Sequence, residues 1–401
     1  MKLENSNISS NNFFFGNNLL QKKNINFIKN KLKLYKNSIN QKENFFNLFK
    51  KKININKNKF KKYQKFNQIY IIGMGGSILG SEAIYNFLNF KIKKKVKFIN
   101  NLDKNYLVKL KKQFSKKTLF ILISKSGNTL ETLTNINFFA KYINKNNSII
   151  ITENKNNSLQ NFSKDKNILF IEHKPFFGGR FSVLSEVGII PCILFNLNVS
   201  NFKKNAQDYF AKKKMSYLIK NANSMSEIYR NKKINSIVLL NYVPELEKFL
   251  FWLQQLLSES LGKKGRGLLP VVSNAPKDHH SLLQLYLDGP KDKIFYIFES
   301  KRKKISDLKI NSFNKTASYL NKKNYHQIIE SQKKAIIQTF KNKKIRFRSF
   351  VLKKHNEQTL GELFCYFILE TILIGNLAHI NPYSQPAVEQ VKIKTRSLLI
   401  K

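Results

Sequence analysis

The stretch QIYIIGMGGSILGSEAIYNFL, Gln68–Leu88, decides the fold. Gln68–Ile72 is a short β-branched run, Gly73–Gly80 is a glycine-rich turn, and a helical apolar spacing begins near Leu79. Strand, loop and helix in that order make the repeating unit of a parallel α/β sheet. The unit recurs downstream in KVKFIN (95–100), in TLFILISKSGNTLETLTNINFFAKYI from Thr118, in NSIIITE (147–153) and in NILFIEH (167–173). Runs as continuously apolar as TLFILIS imply strands buried on both faces, as in a doubly wound sheet. A polar, helical connection, 201–223, leads to a second α/β set. It opens with SIVLLNY (236–242), continues through the helix ELEKFLFWLQQLLSES (245–260), and includes KIFYIFE (293–299) and IRFRSFVL (345–352).

Working outward, the sequence predicts four parts: a helical N-terminal arm at 1–66, a first α/β unit at 67–225, a second at 226–380 and a C-terminal helix within 381–401. The most apolar helix, LGELFCYFILETILIGNLAHI (360–380), carries Glu362 and Glu370. Two carboxylates in mid-span argue for a core helix over a membrane span. Cys192 and Cys365 both lie in apolar runs and read as buried thiols of a reducing, cytoplasmic protein.

Composition adds a warning about charge. Lysine plus arginine total 72 against 24 aspartate plus glutamate, a net +48. Only seven of the 72 are arginine, and lysine travels with abundant Asn, Ile and Phe. Nucleic-acid readers lean on arginine's bidentate fork. The lysine excess is therefore read as codon drift, with neither a nucleic-acid nor a membrane partner.

Two loops at strand C-termini carry the candidate binding chemistry. In GMGGSILG (73–80), Gly76 lets the backbone approach an anion and Ser77 offers a hydroxyl. Alone this is a tight turn. In SKSGNT (124–129), Ser124, Lys125, Ser126 and Thr129 place four donors at a second helix N-terminus, which suits a phosphate monoester. Ligands of open α/β sheets bind at strand C-termini. Further on, FFGGRFSVLSEVG (176–188) sets Arg180 on a glycine turn, fit to stabilise charge developing on an oxygen. In WLQQLLSESLGKKG (252–265), Gln255 and Glu259 are four apart and share a helix face. Adjacent His279 and His280 diverge too much for a metal pair, and no metal-ligand spacing is found.

Gly75-Gly76-Ser77 with SKSGNTLET (124–132) resembles a sugar isomerase (SIS) domain. GGRFS, the Glu259 segment, VSNAPKDHHSLLQLYLDGPKDK (272–293) and NPYSQPAVEQVK (381–392) resemble, in order, the motifs of the glucose-6-phosphate isomerase family. The resemblance runs from about Gln68 to the C-terminus and leaves the N-terminal arm uncovered. It implies two successive SIS-type three-layer α/β sandwich domains with mostly parallel sheets. It also implies aldose–ketose isomerisation of glucose 6-phosphate and fructose 6-phosphate through a cis-enediol. Glu259 would be the base, His280 and Lys392 would assist ring opening, Arg180 would stabilise the enediolate, and Gln385 would match the family's glutamine. Ser384 and Val391 depart from that pattern, where an acidic or amide residue and a glycine are usual. No cofactor is implied, and a homodimer is, with the histidine reaching into the partner's site. Two alternatives remain: an SIS-type isomerase that also takes mannose 6-phosphate, and a sugar-phosphate-sensing DNA-binding regulator.

Overall fold

The structure, a computed structural model, describes residues 8–9, 13–14, 22–52, 55–230, 233–301 and 309–400. Its strands in chain order are β1 (Ile8–Ser9), β2 (Phe13–Phe14), β3 (Gln68–Ile72), β4 (Lys95–Ile99), β5 (Thr118–Ile123), β6 (Ser148–Thr152), β7 (Leu169–Glu172), β8 (Ser236–Asn241), β9 (Leu269–Asn274), β10 (Lys293–Ser300) and β11 (Phe347–Leu352).

Strands β3–β7 form one parallel sheet in the order β4-β3-β5-β6-β7. β5 and β6 are buried along their whole length, as their unbroken apolar runs require. The second sheet runs β9-β8-β10-β11-β1. Its β8–β11 pairings are parallel, and β1 and β2 both pair antiparallel with β11. Two mostly parallel sheets flanked by helices make the α/β architecture that the sequence predicts.

Two features differ from the sequence reading. The N-terminal arm is not purely helical. It has a helix (Lys22–Ser38) and two 3-10 turns, but β1 and β2 lend strands to the distant second sheet. These two-residue pieces show no alternation for a pattern to find. The arm's stretches 1–7, 10–12, 15–21 and 53–54 lie outside the described residues. Strand β9 also escapes the pattern, because it is only partly buried and contains Pro270, which suits its edge position.

The helix Glu357–Leu377 passes through the interior and is almost wholly buried. It is long and apolar enough to cross a membrane, yet protein covers it on all sides. Its two mid-helix carboxylates are paired inside. Arg348 grips Glu370 through two hydrogen bonds of 2.6 and 2.7 Å, and Tyr366 donates a third at 2.6 Å. Glu362 takes Lys214 at 2.9 Å and Asn205 at 2.7 Å. Buried charges persist only when partnered in this way. Cys192 and Cys365 are buried free thiols.

Candidate active site

The first sheet's strand order reverses between β3 and β5, and the two hydroxyl-bearing loops leave the sheet there. A crevice opens at the C-terminal ends of such a strand pair. After β3 the chain turns through Gly75 at φ +52°, which favours glycine. A Cβ at Gly76 would lie 2.1 Å from the Gly179 carbonyl carbon, so only glycine lets these two turns touch. Ser77 is buried in the turn that follows.

After β5, Ser124 is buried and Ser126 exposed, with Thr129 between them in exposure. Ser124 and Thr129 share a hydroxyl contact of 2.9 Å, and Ser126 lies 3.4 Å from Thr129. The Gly127 N–H donates to the Ser124 Oγ at 3.2 Å. Gly127 has φ +70°, and a Cβ there would meet the Asn157 side chain at 1.8 Å. The loop thus gathers three hydroxyls at the start of the helix Leu130–Phe139. Lys125 points elsewhere. Its Nζ donates to the Pro175 carbonyl at 2.7 Å and lies 3.6 Å from Glu153. Burial lowers its pKa, and Glu153 opposes the shift.

Beside these loops sits Arg180, itself buried. Its own main-chain carbonyl is held by Trp252, whose indole N–H donates to it at 3.0 Å. The guanidinium is fully engaged. Nε donates to Ser260 Oγ at 2.8 Å, and Nη1 to Gln385 Oε1 at 2.8 Å and Glu259 Oε2 at 3.2 Å. Nη2 donates to the carbonyls of Pro382 at 2.6 Å and Ser384 at 3.2 Å. Burial lowers the arginine's pKa, and the Glu259 charge opposes that. Gln255 and Glu259 share a face of the helix Glu247–Leu261, as their spacing predicts. Gln255 Nε2 donates to Glu259 Oε1 at 2.9 Å. Each carboxylate oxygen therefore has one donor, and the group is still 29% exposed. That combination fixes the carboxylate while leaving it reachable. The Gln255 Oε1 is buried and has no hydrogen-bond partner among the described residues.

Arg180, Glu259, Gln255 and Gln385 come together as one constellation, and Gly76 connects it to the first loop. Two expected residues do not join it. His280, itself exposed, ends the 3-10 turn Lys277–His280, and among the described residues no hydrogen bond or ion pair links it to this constellation. Its neighbour His279 pairs with the Tyr242 hydroxyl at 2.9 Å, and burial lowers the His279 pKa. Lys392 sits on the exposed helix Ala387–Ile400, with its Nζ 2.6 Å from Glu389. The sequence reading missed Ser260, Trp252 and the Pro382 and Ser384 carbonyls. Main-chain acceptors leave no residue-type signal, though Ser260 adjoins Glu259 and could have been weighed.

Hydroxyl-bearing loops at a parallel sheet's switch point, with an arginine-fixed carboxylate beside them, fit an α/β protein of the phosphosugar-isomerase class. The profile of the phosphoglucose isomerase family matches residues 35–399, and the chain belongs to that family. It is 33% identical to the glucose-6-phosphate isomerase of Methanocaldococcus jannaschii, over 82% of this chain and 84% of that one. It is 30% identical to the enzyme of the same name from Campylobacter jejuni, over 82% and 85%. Among solved structures, hypothetical protein TT0462 from Thermus thermophilus superposes with a TM-score of 0.84 at 23% identity, covering 94% of this chain and 95% of that one. A glucose-6-phosphate isomerase from Chlamydia trachomatis gives 0.69 at 19% identity, covering 94% and 73%. These two likenesses concern the fold.

Proposed function

We propose that the chain is an isomerase interconverting glucose 6-phosphate and fructose 6-phosphate, with Glu259 as the proton shuttle. The observation that carries the residue assignment is the Glu259 carboxylate, held by Gln255 on one oxygen and Arg180 on the other, next to the hydroxyl-bearing loops.

The phosphate dianion is anchored by Ser77, Ser124, Ser126 and Thr129, with backbone N–H groups and the helix dipole behind them. Lys125, whose ammonium is turned to Pro175 and Glu153, adds charge nearby and steadies the loop. Anchoring a remote group orients the reacting carbons. His280 and Lys392 then assist ring opening by moving the proton between the ring oxygen and the anomeric hydroxyl. Glu259 takes the C2 proton of the open aldose and returns it to C1, as base and then acid. The intervening cis-enediolate bears its charge on oxygen, where Arg180 stabilises it. Gln255 and Gln385 brace the carboxylate and the guanidinium. The shuttle keeps the redox state constant.

The same reading makes the enzyme a homodimer whose active sites are shared. His280 is exposed and apart from its own chain's constellation. The helix Ala387–Ile400 leaves Val391, Ile393, Leu398 and Ile400 uncovered. A second copy that covers this helix and receives His280 answers both observations. Two free, buried cysteines accord with a reducing cytoplasm.

The test is an isomerase assay on the purified chain in both directions, with Glu259→Gln beside it. The variant is expected to bind sugar phosphate with near-normal KM and to lose about 10²–10⁴-fold in kcat. Normal turnover by the variant removes the base assignment, and an inactive wild-type chain removes the reading.

A further inference from the structure

Four of the five consecutive residues Asn381–Gln385, all but Tyr383, turn an oxygen towards one of two cations. Arg180 takes the Pro382 and Ser384 carbonyls and the Gln385 amide oxygen. The second cation is Lys263. Its Nζ donates at 2.8 Å to the Asn381 carbonyl and at 2.8 Å to the Ser260 carbonyl. Ser260 O belongs to the last turn of the helix that bears Glu259, where carbonyls lack intrahelical partners and the dipole favours a cation. Lys263 therefore ties one chain segment to the end of another, 118 residues away in sequence.

In a chain this rich in lysine, most lysines occupy a tolerant surface. Lys263 is different from its own neighbours. Lys264 and Arg266 are exposed, whereas Lys263 is partly buried. A pair of backbone hydrogen bonds between Lys263 and Arg266, 2.9 and 3.0 Å, fixes the turn it starts from. The charged groups that bear on its ammonium are Arg180 and Glu259 themselves. Burial and Arg180 push its pKa down to about 8, against the pull of Glu259.

We propose that Lys263 is a positioning residue for the isomerisation: it clamps the Asn381–Gln385 segment onto the end of the base-bearing helix and so holds Gln385 against Arg180 beside Glu259. This rests on the reading of Glu259 as the base. Among the described residues the Lys263 ammonium hydrogen-bonds only to carbonyls, so the positioning it exerts passes through Gln385 and Arg180. A displacement of about 1 Å in such a constellation is enough to cost on the order of 10²-fold in rate.

The experiment compares Lys263→Met, Lys263→Arg, Gln385→Ala and the Lys263→Met/Gln385→Ala pair, each with its melting temperature. K263M is expected to lower kcat roughly 10- to 100-fold while KM for the sugar phosphate stays within about threefold, because the phosphate loops lie on other elements. K263R should recover most of the loss. The double variant should be no worse than the poorer single one, since both break the same link. A K263M enzyme within about twofold of wild type, or strictly additive losses, overturns the proposal. If K263M melts too low to assay, Lys263→Gln takes its place under the same criteria. Hydrogen exchange of the Asn381, Tyr383, Ser384 and Gln385 amides separates this idea from the isomerase reading, because it needs no turnover. Faster exchange in K263M supports the clamp and unchanged exchange overturns it, whatever reaction the wild-type chain performs.

Discussion

At the scale of single residues, the constellation is built from groups that local sequence marks well and groups it does not mark. Arg180 stands out in GGRFS because arginine is rare in this chain, and its donors go to Ser260, Glu259, Gln385 and the Pro382 and Ser384 carbonyls. The helical spacing of Gln255 and Glu259 showed only that they share a face; it was the family resemblance that singled them out. The carbonyls of Pro382 and Ser384 were not legible, because an acceptor every residue owns becomes special only through the path of the chain. Ser384 departs from the family pattern, yet it presents its main-chain oxygen to Arg180, a role indifferent to its side chain. The hydroxyl loop gives the sharpest test at this scale. Hydrogen bonds to a charged group are worth about 1.5–3 kcal/mol each, so removing two should raise KM for phosphorylated sugars by roughly 10²- to 10⁴-fold, with a smaller change in kcat. Ser124→Ala with Thr129→Ala is the variant to measure. An unchanged KM would place the phosphate elsewhere.

At the scale of elements, the sequence predicted strands best where both faces are buried, as in β5 and β6, and worst at the edges, as in β1, β2 and β9. β1 and β2 are two residues each and pair with β11 hundreds of residues away, which leaves no local trace, and β9 is only partly buried, whereas the edges β4 and β7 carry enough apolar sequence to be read. The end of β7 carries a consequence for stability. His173 follows that strand and is buried, its Nδ1 3.1 Å from the Lys174 carbonyl and its Nε2 without a hydrogen-bond partner among the described residues. Burial pushes its pKa down to about 4; Lys125 pushes in the same direction and Glu153 opposes. Between pH 6.5 and about 4 the unfolded chain holds a proton on this ring that the folded chain refuses. Stability should therefore fall as pH drops through that window, by up to roughly 3 kcal/mol from this group. Glu82 and Glu186 act in the opposite sense, since burial raises their pKa values. The measurement is thus a difference: denaturant melts at pH 7 and pH 4.5 for wild type and His173→Gln. The variant should lose less stability on acidification, and equal losses would refute the assignment.

At the scale of the whole molecule, the +48 charge that dominates the composition explains little of the site. The polar contacts that shape the constellation involve one arginine, one lysine, one glutamate, two glutamines and a serine, while the interior ion pairs depend on the chain's few carboxylates. His280 and Lys392 are exposed, and among the described residues no hydrogen bond or ion pair joins either to Glu259; under the proposed reading they serve a second copy of the chain. A motif can point to a residue and its spacing, but not to which copy of the chain it serves. That question has a direct test. Glu259→Gln and His280→Ala should each be nearly inactive as pure proteins. If His280 serves the partner's Glu259, unfolding and refolding the two together yields mixed dimers. Each mixed dimer has one site with both groups intact and one site lacking both. Random pairing makes half of the dimers mixed, so activity should return to about a quarter of the wild-type value per site. If instead each chain completes its own site, no mixture contains an intact pair and the refolded protein stays inactive.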